Sequence, residues 1–126
     1  MTKDAFFTRD GESYIPTPAC RGPWNPNSLH GRVVIGLLGL ELERLHGGDE
    51  WMPARLTVDM YRLPDFSPVT AVTRMLRGGK RIKVVDCELF SAGKSVARGT
   101  CQFLIRSENA PGITWSPSNW NVPKPI

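Results

Sequence analysis

The apolar positions of the chain change period along its length. From Leu29 to Leu45, in LHGRVVIGLLGLELERL, apolar residues recur three and four apart. That spacing predicts one long helix. Val34, Leu37, Leu38, Glu41, Leu42 and Leu45 form one stripe and Val33, Gly36, Leu40 and Arg44 a second, so the helix is expected to be buried on most sides. Asn27 or Ser28 can cap its start, and His46-Gly47-Gly48-Asp49 ends it. Gly36 and Gly39 are poor helix formers, and they suggest that a sheet or a ligand comes close to the helix backbone.

After the helix the period shortens to two. Arg55 to Leu63 places Leu56, Val58 and Met60 on one face, and Val69 to Arg77 alternates less cleanly. Ile82 to Ala92 shifts its alternation at Val84-Val85, which predicts a bulge there. Ser95 to Arg106 puts Ala97, Gly99, Cys101, Phe103 and Ile105 on one side. Pro64 to Pro68, Gly78-Gly79 and Ala92-Gly93 are turn material, so these four strands should run antiparallel. Before the helix, Asp10-Gly11 predicts a hairpin within Ala5 to Pro16. Prolines 16, 18, 23 and 26 then impose a loop, with Trp24 as its expected anchor. From Ser107 the chain becomes SENAPGITWSPSNWNVPKPI, an arm or linker spanning 107–126. Its Trp115 and Trp120 are expected to dock on this domain, on a partner subunit or on a second domain.

Composition narrows this picture. A chain of 126 residues with 40% hydrophobic and 22% charged residues fits one globular domain, expected over residues 1–106, and not a disordered protein. No apolar run reaches about 18 residues and the start MTKDAFFTRDG has no signal-peptide core, so a cytoplasmic location is expected. The net charge of +4 suits an anionic small molecule as well as a nucleic acid. Without interleaved aromatics the basic stretch Arg74 to Lys83 is a weak nucleic-acid binder. Cys20, Cys87 and Cys101 form no CxxC pair and read as reduced thiols, offering no zinc set.

Strands, one long buried helix and then a four-strand meander make an α+β architecture in which a curved antiparallel sheet wraps a central helix. Trp24 through His30-Gly31 into an apolar helix resembles the W…HGG-helix segment of hotdog-fold acyl-CoA thioesterase-like proteins. Pro53 to Arg62, Arg77 to Ile82 and Val96 to Gly99 resemble strand segments of the same group. The chain looks most similar to the N-terminal half of double-hotdog, thioesterase II-like proteins. The resemblance implies the hotdog fold, an acyl-CoA thioester as substrate with coenzyme A present only as part of it, no separate cofactor or metal, and a thioester hydrolase activity.

Thioester hydrolysis needs donors aimed at the developing oxyanion and a group that activates water. The free N–H groups of a helix N-terminus meet the first need, which points to His30, Gly31 and Arg32. Asn25 and Asn27 stand at the same mouth and can orient water or substrate, although Asn in a Pro-rich loop also serves turns and caps. Many single-hotdog thioesterases carry an Asp or Glu on the helix about nine residues after the HGG histidine. Here that position is Gly39. Glu41, on the otherwise apolar stripe, is the remaining internal candidate for the acid. Trp24, Asn25 and Arg32 are candidates for holding substrate, and Lys80 and Arg81 for meeting the phosphates of coenzyme A. Asp59 and Asp86 read as solvent-exposed or salt-bridged.

The missing helix acid leaves a second expectation open, a non-catalytic hotdog unit that binds acyl-CoA or supports an active partner. A hotdog hydratase ranks last: Asn25-Pro26 and His30 resemble part of an Asp-x-Asn-Pro-x-His motif, but the histidine falls too late and no Asp precedes Asn25 at the right place. Hotdog sheets leave edge strands to be covered, so a homodimer or a pairing with a second hotdog domain is expected.

Overall fold

A computed structural model describes residues 5–126. Strands β1 (Phe7–Asp10) and β2 (Ser13–Pro16) form a hairpin that leads through a short turn at Pro18–Cys20 into the loop before the long helix α1 (Gly31–His46). Four longer strands follow: β3 (Trp51–Met60), β4 (Val69–Gly78), β5 (Ile82–Ser91) and β6 (Lys94–Ile105). All six lie in one sheet, in the order β1-β2-β4-β5-β6-β3, with every neighbouring pair antiparallel. One long helix against a six-strand antiparallel sheet is the expected hotdog layout.

Two-residue alternation places Val85, Cys87 and Leu89 of β5 and Ala97, Cys101 and Phe103 of β6 inward, where they meet Val33, Val34, Leu37, Leu38 and Leu42 of α1. Leu38, Cys87 and Phe103 are completely buried. Gly99 belongs to the same face because a Cβ there would press on Leu38, Leu56 and Val58 at 3.4–3.5 Å. The Ala92-Gly93 link has positive φ at both residues (48° and 71°), as a two-residue hairpin of the twist-compatible kind demands.

The structure corrects several expectations. The helix cap is His30, whose side chain accepts from the Arg32 N–H, and not Asn27 or Ser28. The reason lies in the loop, where Asn25 and Ser28 are used up in holding the turn. Trp24 anchors nothing: it is 87% exposed. The bulge predicted at Val84-Val85 sits on the opposite strand, between Met75 and Arg77. Strand β3 begins four residues earlier than expected and contains Pro53, at a register shift between Pro53 and Arg55. An edge strand tolerates a residue without an N–H at such a shift.

The largest correction concerns the helix, which is buried on only one half. Ile35, Leu40 and Leu45 remain exposed, and on the neighbouring edge strand so do Leu56 and Met60. One sheet can cover one side of a helix, and among the described residues nothing covers the exposed positions on the other. Residues 106–126 form no helix or strand and are exposed throughout. Trp115 and Trp120 are exposed and do not dock on this domain, the first of the three surfaces expected for them.

Candidate functional site

The loop before α1 is closed by its own polar groups. The Asn25 carbonyl accepts from both the backbone N–H (3.0 Å) and the hydroxyl (2.8 Å) of Ser28, while Asn25 Oδ1 accepts from the Asn27 N–H at 2.8 Å. Gly22 donates to the Ser28 carbonyl and His30 to the Cys20 carbonyl, each at 2.8 Å. At Gly22 the chain passes close to itself, and a Cβ would lie 3.2 Å from the backbone of His30 and Leu29, so a larger residue needs that backbone to give by a few tenths of an ångström. Leu29 donates to the Pro64 carbonyl and fixes the loop to the β3–β4 link. Asn25 is therefore a turn residue, and Asn27 is exposed beside Asp65, Phe66 and Ser67.

This loop delivers the helix N-terminus in a defined state. His30 Nδ1 accepts from the Arg32 N–H at 3.1 Å, and the Val33 N–H donates to the His30 carbonyl at 3.0 Å. The Gly31 N–H has no acceptor among the described residues. Because Nδ1 accepts this bond, Nε2 is the ring nitrogen that carries the N–H. The mouth opens on a groove of about 290 Å³ lined by Trp24, Leu29, Gly31, Met60 and Tyr61. A Cβ at Gly31 would touch the Met60 thioether at 3.4 Å. Gly31 and Trp24 thus line one mouth, with Asn25 and Asn27 in the loop that builds it, while His30 caps the helix beside it without lining the groove. Arg32 turns to the opposite side of the helix, where its guanidinium lies 5.6 Å over the Phe6 ring.

Glu41 is not at the mouth. It lies roughly 15 Å along the helix from Gly31 at about 1.5 Å per residue. It is buried, with Arg44 donating to its two oxygens at 2.9 and 2.8 Å and the Tyr14 hydroxyl donating to Oε1. The Arg44 bonds hold its carboxyl below the usual range against the opposing effect of burial, and Tyr14 adds to this. Burial, then the bond to Glu41, pushes the Tyr14 hydroxyl up. The pair is a carboxylate and a neutral phenol that tie the β1–β2 hairpin to the helix. Tyr14 was not singled out by sequence reasoning, although the inward alternation of Ser13–Pro16 and the three-residue spacing of Glu41 and Arg44 were signals for this cluster.

Lys80 and Arg81 are exposed in the β4–β5 turn. Their neighbour Lys83 donates to the carbonyl of His46 at the far end of the helix, and the 16-residue helix is about 24 Å long. Within one chain this basic turn and the Gly31 mouth therefore occupy opposite poles. Asp86 is buried on the outer face of the sheet, bonded by Arg98 and Thr100 with Arg74 at 3.7 Å. That is the salt-bridged state expected for it, and Arg98 followed by Thr100 holds its carboxyl low. Desolvation pushes the Cys87 thiol up to about 12 and raises Cys20 and Cys101, so none of these buried thiols is a ready nucleophile.

These shifts set a pH profile. His46, bonded to Thr73 at 2.9 Å, has its pKa lowered from about 6.5 by burial and then by Lys83, so protonation favours the unfolded chain. Its contribution is complete above about 6.5 and is lost as pH falls through its folded value. Glu41 and Asp86, also lowered, lose theirs only below about 4.5 and 3.8. Thermal melts followed by circular dichroism should show a plateau near pH 7–8, a first decline below about 6.5 that His46→Gln removes, a steeper one below about 4.5, and a fall above about 9, where the unfolded chain ionises thiols that burial keeps protonated at Cys20, Cys87 and Cys101.

No helix of the described residues is long and apolar enough to cross a membrane. Comparison with solved structures finds the same fold repeatedly. A Bacillus halodurans protein solved with CoA is 23% identical, with 75% of this chain and 69% of that chain covered and a TM-score of 0.62. The E. coli PaaI protein from the phenylacetic acid degradation operon is 19% identical, with 75% and 70% covered and a TM-score of 0.67. A thioesterase-superfamily protein of Shewanella oneidensis is 19% identical, with 75% and 74% covered and a TM-score of 0.63. Curated protein sequences return no match. The family model described as the acyl-CoA thioesterase N-terminal domain matches residues 20–104, from the turn before the helix mouth almost to the end of β6, and the chain belongs to that family.

Proposed function

We propose that the chain is one unit of an acyl-CoA thioesterase, with the thioester carbonyl held at the N-terminus of α1. The observation that carries this reading is the Gly31 N–H, left without an acceptor at the mouth of an apolar groove in a member of an acyl-CoA thioesterase family. A backbone donor with no competing partner, backed by the positive end of the helix, suits a carbonyl oxygen that gains charge in the transition state. His30 fixes this helix end by capping it through Nδ1. Trp24 and Met60 offer apolar surface for the acyl chain.

The base comes from outside this mouth. Gly39 occupies the expected acid position with only Leu56 near it, and Glu41 is committed to Tyr14 and Arg44. Strand β3 is an open edge beside the uncovered face of α1, a surface suited to a second hotdog unit. Antiparallel pairing of two such edges also runs the two helices in opposite directions. The basic Lys80-Arg81 turn of one unit then approaches the Gly31 mouth of the other, which suits coenzyme A phosphates at a site shared between units. A second reading, supported by Gly39, is a silent unit that binds acyl-CoA beside an active partner.

Thiol release from a panel of acyl-CoAs by the purified chain separates the two. Turnover that is lost in His30→Ala supports hydrolysis; calorimetric binding of acyl-CoA without turnover supports the silent unit, and absence of both defeats each. Light scattering at micromolar concentration should report twice the 14.0 kDa of one chain, and a monomer would remove the homodimer.

A further inference from the structure

A second cavity lies away from the proposed mouth, on the other side of α1 beneath the β1–β2 hairpin. It encloses about 540 Å³, within the range that holds a small organic ligand. Its walls are apolar, formed by Phe6, Phe7, Leu37 and Leu40, and two cations, Arg9 and Arg32, line it.

Three features set this cavity apart from an ordinary packing gap. Arg9 lies 5.7 Å over the Tyr14 ring and Arg32 5.6 Å over the Phe6 ring, so both guanidiniums are held against the cavity walls. Neither is in an ion pair among the described residues, and no carboxylate lines the cavity. The buried Glu41 behind Tyr14 is already matched by two bonds from Arg44. The third feature is Gly36, which forms part of the lining. A Cβ there would meet nothing within 4 Å, so no neighbouring segment requires the glycine. Mid-helix glycine still costs up to about 1 kcal/mol relative to Ala. The space it leaves extends the cavity to the helix backbone.

We propose that this cavity binds a fatty carboxylate, with its chain along Phe6, Phe7 and Leu40 over Gly36 and its carboxylate on Arg9 and Arg32. Two unpaired cations beside an apolar chamber match a ligand with one anionic end and a long apolar body. A neutral lipid would make no use of the guanidiniums, which are solvent-exposed with Arg9 Nε donating to the Gly11 carbonyl at 3.0 Å, and a polar anion would leave the aromatic walls unused.

Calorimetric titration of the whole chain with sodium dodecanoate, below its micelle concentration, tests the site. Saturable binding of one molecule per chain is expected. Gly36→Leu fills the cavity from its floor and should weaken binding about tenfold or more while raising the melting temperature, since leucine is the better helix former. Arg9→Gln, on the exposed hairpin, should weaken dodecanoate by about tenfold, and dodecanol should bind the unmodified chain about tenfold less tightly than dodecanoate. Absence of saturable binding, or equal affinity in Gly36→Leu, overturns the site. Dodecanol bound as tightly as dodecanoate, or an Arg9→Gln chain unimpaired for dodecanoate, overturns the carboxylate assignment. The titration contains no thioester, so its outcome is separate from that of the hydrolysis assay.

Discussion

Gly31→Pro is expected to leave the fold intact and to lower the turnover of acyl-CoA by about 10²–10³-fold, the usual cost of one lost oxyanion donor. The substitution replaces the N–H with the N–Cδ bond of the ring and adds three carbons at the mouth. Proline is favoured at the first helical position, where its N–H would be unpaired in any case. The residue before a proline must be extended, and His30 already is, at φ −71° and ψ 137°. At Gly31 a Cβ would meet only the end of the Met60 side chain, at ordinary contact distance. Circular dichroism should therefore give a melting temperature within a few degrees of the parent, while thiol release from acyl-CoA collapses. Retention of full turnover by a folded Gly31→Pro chain would show that this N–H does not hold the carbonyl.

The second large effect is on stability. Glu41→Ala should lower the unfolding free energy by about 3 kcal/mol, because it leaves the buried Tyr14 hydroxyl without an acceptor and opens a void beside it. For a chain of this size that is a fall of roughly 10 °C in melting temperature. Removing both partners should be milder than removing one. In the double variant Tyr14→Phe with Glu41→Leu no buried polar atom is stranded, so much of the loss should be recovered. If the double variant is as unstable as the sum of the two single ones, the bond between Tyr14 and Glu41 contributes nothing of its own. The same variants bear on function, since a Glu41 that serves only to hold the hairpin would leave turnover unchanged in molecules that remain folded.

Glu41 shows where reading the chain alone stops. Its place on an apolar stripe marked it as unusual, and its neighbour three residues on is the arginine that binds it. The second partner, Tyr14, lies 27 positions earlier and reaches Glu41 only because β2 joins the sheet beside β4. His30 was readable as part of the helix mouth, but its imidazole became the cap because the loop carbonyls engaged Ser28 and the Asn25 side chain engaged the Asn27 N–H. Arg32 and Trp24 were grouped with it by their nearness along the chain. A helix turns about 100° per residue, so Arg32 points to the hairpin cavity while Gly31 faces Met60. Lys80 and Arg81 belong to the opposite pole for a similar reason: the β4–β5 turn lies at the end of the sheet that packs on the helix C-terminus.

Local periodicity determined the element types by itself. A 3.6-residue repeat from Val33 to Leu42 and two-residue alternation in the later strands left one economical arrangement, a helix against an antiparallel sheet, and the glycine-rich links placed the hairpins. Tertiary structure decided what is exposed and what meets. That β3 is an edge, that half of an apolar helix lies uncovered, that an unpartnered N–H opens on a groove and that two arginines line a cavity on the other side all depend on strand order. Strand order comes from pairings between residues far apart in sequence, and a local pattern carries no record of them.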